Sequence, residues 1–297
     1  MKKPIFTGAA TALVTPFADG RIDLAAYDRL LETQRDVQAL VVTGTTGEAS
    51  TLTDTEKVTL WKHTADRKPV GCKVIAGVGT NCTAASVRLA QAAQDCGVDA
   101  LLAVTPYYNK CTQQGLIEHY RTIADATELP LLLYNVPSRT GVNLLPETCL
   151  ALSAHPRING VKEASGDLRQ AAAIRERCGD ALHVWSGNDD QTAAIIALGG
   201  KGVISVLSNV RPKAVAALTK AALSGDCDTA AALQARYLPL IDALFSEVNP
   251  IPVKAALHAM RLCGETLRLP LTPLSEEKRA SLRAALLACP ELPSVSD

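Results

Sequence analysis

The chain has 297 residues, room for one large α/β domain with an addition or for two small domains. Hydrophobic residues make up 47% and charged residues 20%, and 30 Lys and Arg balance 30 Asp and Glu, so the formal net charge is zero. There is no basic surplus for DNA, RNA or an anionic membrane, and no apolar run approaches the roughly 20 residues of a membrane helix. The start, Met1-Lys2-Lys3-Pro4-Ile5-Phe6-Thr7-Gly8, has two lysines without a long apolar region behind them, so no secretory signal is expected. The nine cysteines are scattered with no C-x-x-C pair, which suits reduced thiols in a cytoplasmic protein.

Apolar, β-rich runs alternate with helical patterns along most of the chain. Strands are expected at Thr7–Val14, Ala39–Thr43, Lys73–Gly77, Ala100–Val104, Leu131–Asn135, Ile158–Lys162, His183–Ser186 and Gly202–Val206. Helices are expected at Leu24–Arg35, from Asp54 as N-cap, and at Thr83–Cys96, Gln113–Ala126, Pro146–Ser153, Asp167–Arg177, Asp189–Leu198 and Pro212–Leu223. Eight β-then-α units predict a parallel sheet, and their number suits a closed (β/α)8 TIM barrel over residues 1–224. After Gly225 the strands stop. Thr229–Phe245, Ile251–Leu262 and Ser275–Leu287 read as a C-terminal three-helix appendage over residues 225–297, broken by Asn249-Pro250-Ile251-Pro252 and Leu269-Pro270.

In such a barrel the chemistry sits past the C-terminal ends of the strands. The sixth strand ends at Lys162. Alternation puts Ile158, Gly160 and Lys162 on one face, with Gly160 leaving space beneath the amine. Burial disfavours the charged form of an amine, and a neutral amine can attack a ketone to form an imine. Lys162 also suits a plain surface lysine at a strand end. Lys73, Lys201 and Lys254 compete poorly, because they lie at strand starts or in the appendage. After the second strand, Gly44-Thr45-Thr46-Gly47-Glu48 can present backbone N–H and hydroxyl groups to a carboxylate, or be an ordinary Gly/Thr turn, with Glu48 bracing the turn or capping the next helix. After the fourth, Thr105-Pro106-Tyr107-Tyr108 places two tyrosines in a loop of a chain with only 4% aromatics. The fifth strand carries Tyr134 in parity with Leu132, pointing into the barrel either near Lys162 or as a plain core tyrosine, and then Arg139, which suits a substrate carboxylate or a solvated surface charge. Gly187-Asn188-Asp189 and Val203-Ile204-Ser205 are small or turn-forming residues that allow close approach of a ligand. Five histidines without ligand spacing, and the lack of a P-loop, G-x-S-x-G or complete dinucleotide fingerprint, leave no metal or nucleotide motif.

Gly44-Thr45-Thr46-Gly47-Glu48, Thr105-Pro106-Tyr107-Tyr108-Asn109, Tyr134-Asn135-Val136-Pro137-Ser138-Arg139-Thr140-Gly141, Gly160-Val161-Lys162-Glu163-Ala164-Ser165-Gly166 and Asn249-Pro250-Ile251-Pro252-Val253-Lys254, in this order and spacing, resemble the dihydrodipicolinate synthase family of the class I pyruvate-dependent aldolases. The resemblance runs from about Thr7 to the end. It implies condensation of pyruvate with L-aspartate 4-semialdehyde, with no metal or organic cofactor beyond the covalent imine of pyruvate on Lys162. It implies Tyr134 as proton donor and acceptor, and Thr45 linking it to Tyr108 from a neighbouring subunit. Thr46, the Thr45 and Thr46 N–H groups and the Ile204 backbone would hold pyruvate, Gly187 would lie against the ligand, and Arg139 would receive the semialdehyde carboxylate. It also implies a homotetramer built as a dimer of dimers. Sugar-acid lyases, including those acting on N-acetylneuraminate, share the barrel, lysine and tyrosine, but a sugar calls for hydroxyl partners and not for Arg139. A non-catalytic scaffold of the same fold would be expected to have lost Lys162 or Tyr134, and both are present. Where feedback-inhibited relatives place two histidines and a glutamate for inhibitory lysine, this chain has Asp54, Lys57 and Ala85, while Ser50, Asn81 and Tyr107 remain. Weak or absent inhibition by lysine is therefore expected.

Overall fold

The computed structural model describes residues 2–291. Eight strands close into a parallel barrel: β1 (Gly8–Ala12), β4 (Ala39–Val42), β5 (Lys73–Gly77), β6 (Ala100–Val104), β7 (Leu131–Asn135), β8 (Ile158–Glu163), β9 (His183–Ser186) and β10 (Gly202–Ser205). Each pairs with its neighbours in sequence, and β1 closes the ring between β10 and β4. The strands are Val-, Leu-, Ile- and Ala-rich and covered on both faces, as a parallel sheet wrapped by helices requires. A further pair is not evident in the periodicity: β2 (Phe17–Ala18) and β3 (Arg21–Ile22) form a short antiparallel hairpin after β1.

The surrounding helices are α1 (Leu24–Thr33), α2 (Asp54–Arg67), α3 (Thr83–Asp95), α4 (Gln113–Asp125), the single turn α5 (Pro137–Thr140), α6 (Pro146–Ser153), α7 (Leu168–Cys178), α8 (Thr192–Ala197) and α9 (Pro212–Leu223). Asp54 is not the cap of α2 but its first residue. Thr53 accepts the Glu56 N–H, and Glu56 reaches back to the Thr53 N–H, a reciprocal pair that satisfies two otherwise orphaned donors. The expected helix from Asp189 starts instead with a 3₁₀ turn, Asp189–Gln191, before α8.

Two apolar clusters follow from the alternation of side chains. Ala10, Val41, Ile75, Leu102, Leu132, Tyr134, Trp185 and Ile204 fill the barrel interior. A larger cluster lies between the strands and the helices. The C-terminal helices α10 (Cys227–Leu244), α11 (Ile251–Ala259) and α12 (Glu276–Ala288) join that outer cluster through Tyr237, Leu240, Val253, Leu257 and Leu282. Met1 and residues 292–297, the ends of the two spans expected from the sequence, lie outside the described residues. Among the described residues no helix is long and apolar enough to cross a membrane.

The segment after α11 is tied to α2. The Arg268 guanidinium grips the Glu56 carboxylate with two N–H groups, at 2.8 and 2.5 Å. That hydrogen bonding, more than any other cause, holds the Glu56 carboxyl down at about 2 from an ordinary value of 4.5. A depressed carboxyl stabilises the fold above its ordinary value and loses that contribution as pH falls through the depressed one. Glu56→Gln should therefore cost about 0.5–1 kcal/mol at neutral pH, with partial exposure limiting the effect. The gap in thermal midpoint between the two proteins should narrow steadily as pH falls from 4.5 toward 2. A gap constant with pH would show that the charge is not its source.

Candidate active site

The pairing of β7 with β8 sets the centre of the site. Tyr134 lies opposite Lys162, and Leu132 lies opposite Gly160. The Lys162 ammonium sits 4.3 Å from the centroid of the Tyr134 ring, and both side chains are buried. The register shifts between Leu131 and Leu132, so Asn159 is an extra residue on β8. This corrects the simple alternation expected from the sequence. Ile158 packs in the outer cluster, while Gly160 and Lys162 share the register of the inward-facing Leu132 and Tyr134. Nor does Gly160 leave a void under the amine. A Cβ there would collide with the Trp185 ring and the His183 carbonyl, so the glycine is what lets Trp185 pack beneath the site. Glu163, the next residue, faces away. Its carboxylate accepts from Asn135 Nδ2 at 3.0 Å, Gln170 Nε2 at 3.2 Å and the Ser165 N–H at 2.7 Å, which fixes the end of β8.

Gly187, just past β9, lies over the Lys162 side chain. An added Cβ would stand 3.0 Å from Lys162 Cε and 2.6 Å from the Ala164 methyl. Ile204 belongs to the interior cluster with Tyr134 and Trp185. Asp189 reads in the sequence as a turn residue but is buried. Its Oδ2 accepts the N–H groups of Val206 and Leu207 at 2.9 and 3.0 Å. Burial pushes its carboxyl up, against the opposing pull of Ser205, those N–H groups and the Lys162 charge.

The turn after β4 is bent by two non-glycine residues in the left-handed region, Thr43 at φ +57° and Glu48 at φ +55°. Such residues cost of order 1 kcal/mol each and persist where surrounding contacts impose them. The imposed geometry leaves donors exposed inside the loop. Among the described residues neither the Thr45 nor the Thr46 N–H has a hydrogen-bond acceptor. Successive free N–H groups of this kind make an anion-binding concavity.

Thr45, Tyr134, Arg139 and Tyr107 line one cavity of about 350 Å³, together with Ser50 and Lys57. Lys162, Thr46, Gly187 and Ile204 do not line it, and Tyr134 is the residue shared between the cavity and the lysine. Arg139 stands on α5 and is exposed; among the described residues no carboxylate pairs with its guanidinium. Tyr108 is not brought to the site. It is 89% exposed at φ +73°, projecting from the loop that leaves β6 beside Tyr134, where the Thr105 N–H donates to the Tyr134 carbonyl.

Two further contacts escape a reading strand by strand. Lys254 of α11 is fully buried, with its ammonium 2.5 Å from Glu48 Oε1, 2.7 Å from the Thr266 carbonyl and 4.3 Å from the Phe17 ring centroid. Burial pulls its pKa down, and the Glu48 carboxylate opposes that shift. Glu48 Oε2 accepts the Arg268 N–H at 3.1 Å, so Glu48 braces the loop against the C-terminal region rather than capping a helix. Asn249, just before α11, donates its Nδ2 hydrogen to Thr46 Oγ1 at 2.9 Å. Only tertiary structure brings residues about 200 positions apart into these pairs. Among the described residues no group of three or more His, Cys, Asp or Glu side chains is placed to hold a metal ion.

A buried lysine beside a tyrosine in a parallel eight-stranded barrel, with a turn of free N–H donors after β4, is the kind of arrangement that imine chemistry of the aldolase class calls for. The model of the dihydrodipicolinate synthetase family matches residues 5–289, and the chain belongs to that family. It is 49% identical over 280 residues to the 4-hydroxy-tetrahydrodipicolinate synthase of Alkaliphilus oremlandii, covering 94% of this chain and 97% of that one. The chloride-inhibited dihydrodipicolinate synthase of Acinetobacter baumannii, solved with pyruvate, superposes with a TM-score of 0.94 at 42% identity, covering 96% and 99% of the two chains. The enzyme of Cyanidioschyzon merolae, solved with lysine bound, gives 0.92 at 38% identity, covering 97% and 99%.

Gly187→Ala tests the packing over the lysine. The added methyl presses on Lys162 Cγ and Cε, so reductive trapping of a small 2-oxo acid on the protein should slow by roughly 10-fold or more. The Ala164 methyl, 2.6 Å from the added Cβ, must also give way, so the thermal midpoint should fall as well, and trapping is compared at a temperature where both proteins are folded. Unchanged trapping would place the lysine side chain away from Gly187.

Proposed function

We propose that the chain condenses pyruvate with L-aspartate 4-semialdehyde to give 4-hydroxy-tetrahydrodipicolinate, through an imine on Lys162. The observation that carries this reading is the buried Lys162–Tyr134 pair on adjacent strands. Lys162 attacks the keto carbon of pyruvate and water leaves. The imine withdraws electrons, so the methyl group loses a proton and becomes an enamine carbon that attacks the aldehyde. The amine of the semialdehyde then displaces Lys162 and closes the ring. Tyr134 is taken to move these protons, a reading supported by its contact with the lysine and its opening to the cavity, and an acid–base group of this kind contributes roughly 10²–10⁴-fold.

The pyruvate carboxylate is assigned to the Thr45 and Thr46 N–H groups and the Thr46 hydroxyl, with Gly187 and the Ile204 backbone closing over the ligand. Arg139, charged and without a carboxylate partner at the cavity lip, takes the semialdehyde carboxylate. A polyhydroxylated acceptor would gain nothing from that charge. Thr45 lines the cavity beside Tyr134 and links it to Tyr108 of a second copy. The exposure of Tyr108 supports that assignment, because a tyrosine held out in solvent contributes nothing within one subunit. The assembly is taken to be a homotetramer made of two such dimers.

Arg139→Ala should raise the KM for aspartate semialdehyde at least 10-fold while the KM for pyruvate changes less than twofold. A rise confined to pyruvate would reassign the arginine.

The same cavity carries Lys57 beside Ser50 and Tyr107, and the Asp54 carboxylate lies 3.7 Å from the Lys57 ammonium. Asp54 is largely exposed, so water screens much of its offset, and Lys57 leaves a positive charge facing any cationic ligand. Titration of activity with L-lysine should show weak inhibition or none. Half-inhibition at micromolar lysine would overturn that expectation.

A further inference from the structure

Thr46 is 3% exposed, and its hydroxyl has a single partner among the described residues, the Asn249 amide. A hydroxyl carries one proton and two acceptor positions. Asn249 donates to the oxygen at 2.9 Å, which leaves the proton of Thr46 to be given elsewhere. No acceptor for it lies among the described residues, and the two adjacent N–H groups of Thr45 and Thr46 are in the same condition. Three donors around one turn, with no acceptor among the described residues, form a concavity suited to an anion such as a carboxylate.

Asn249 is itself 6% exposed, and among the described residues its Oδ1 has no partner. The Thr46 contact is therefore the one hydrogen bond of this side chain among the described residues. The surroundings hold that geometry. Five residues further on, Lys254 bonds Glu48 and the Thr266 carbonyl, and the Arg268 N–H completes the Glu48 carboxylate. The Thr46–Glu48 segment is therefore pinned at both ends by the C-terminal region, at Thr46 by Asn249 and at Glu48 by Lys254.

We propose that Asn249 is a positioning residue for carboxylate binding, which fixes the Thr46 hydroxyl as a donor toward the ligand and makes the C-terminal helical region part of the pyruvate site. This rests on the pyruvate reading above. Asn249 touches no reacting atom; it acts through Thr46. Its removal frees the Thr46 hydroxyl to turn away, and binding loses one buried charge-assisted hydrogen bond.

The test is a double-mutant cycle read by exchange of the pyruvate methyl protons in D₂O, followed by NMR. This reports enamine formation without the second substrate. Asn249→Ala should raise the half-saturating pyruvate concentration roughly 10-fold with less than a threefold change in maximal rate. Thr46→Val should do the same, and the double variant should be no worse than Thr46→Val alone. Where alanine lowers the folded yield, Asn249→Ser, too short to reach Thr46, takes its place in the cycle. Multiplying effects, near 100-fold in the double variant, would show that Asn249 acts independently of Thr46 and overturn the assignment, as would an unchanged half-saturation in Asn249→Ala. A parent protein that exchanges no methyl protons refutes the imine reading and this assignment with it. Exchange by the parent without coupling in the cycle refutes this assignment alone.

Discussion

The register between β7 and β8 is the constraint on which the site depends. Side chains alternate along a strand, so a slip of one residue would carry Lys162 and Tyr134 to opposite faces of the barrel. The extra residue at Asn159 is what brings Gly160 and Lys162 into the inward register after Ile158 has packed outside. Trp185 fills the space below Gly160, and Gly187 closes over the lysine stem.

The second half of the site is a turn that local preferences do not favour. Thr43 and Glu48 both occupy the left-handed region, and two backbone donors inside the turn have no acceptor among the described residues. Long-range contacts offset that cost. The Glu48–Lys254 ion pair is fully buried, and removing one member of such a pair typically destabilises a protein by about 3–5 kcal/mol. Phe17 of the small hairpin lies against both the Lys254 ammonium and the Arg268 guanidinium, each 4.3 Å from its ring centroid. Charge, ring and backbone from the C-terminal region therefore add to the bonds that tie Thr43 to the Val42 and Gly77 carbonyls of the barrel strands.

Much of this was legible in the sequence, for physical reasons. The eight strands stand out because both faces are covered, which forces continuous apolar runs. Pro146 and Pro212 mark the starts of α6 and α9, because a proline at the first helical position loses no hydrogen bond. Lys162, Tyr134, Thr45, Thr46 and Arg139 stand at strand ends, where a barrel places its chemistry. What the sequence hides is whatever depends on register or on distance along the chain. The bulge at Asn159 has no local signature. Lys254 reads as one more surface lysine on a helix, because nothing in its neighbours names Glu48 as a partner. Asp189 reads as a turn former, since only the fold shows the Val206 and Leu207 N–H groups closing on it. Thr53 and Asp54 both suit a helix cap, and the reciprocal bond from Glu56 decides between them.

The central claim is that Lys162 is the residue that becomes covalently joined to pyruvate. The most direct test is to incubate the protein with pyruvate and borohydride, weigh it, and map the modified peptide. The account predicts one reduced pyruvate per chain, carried on Lys162, while the buried Lys254 stays unmodified. An intact fold with no adduct, or an adduct on a different lysine, would contradict it.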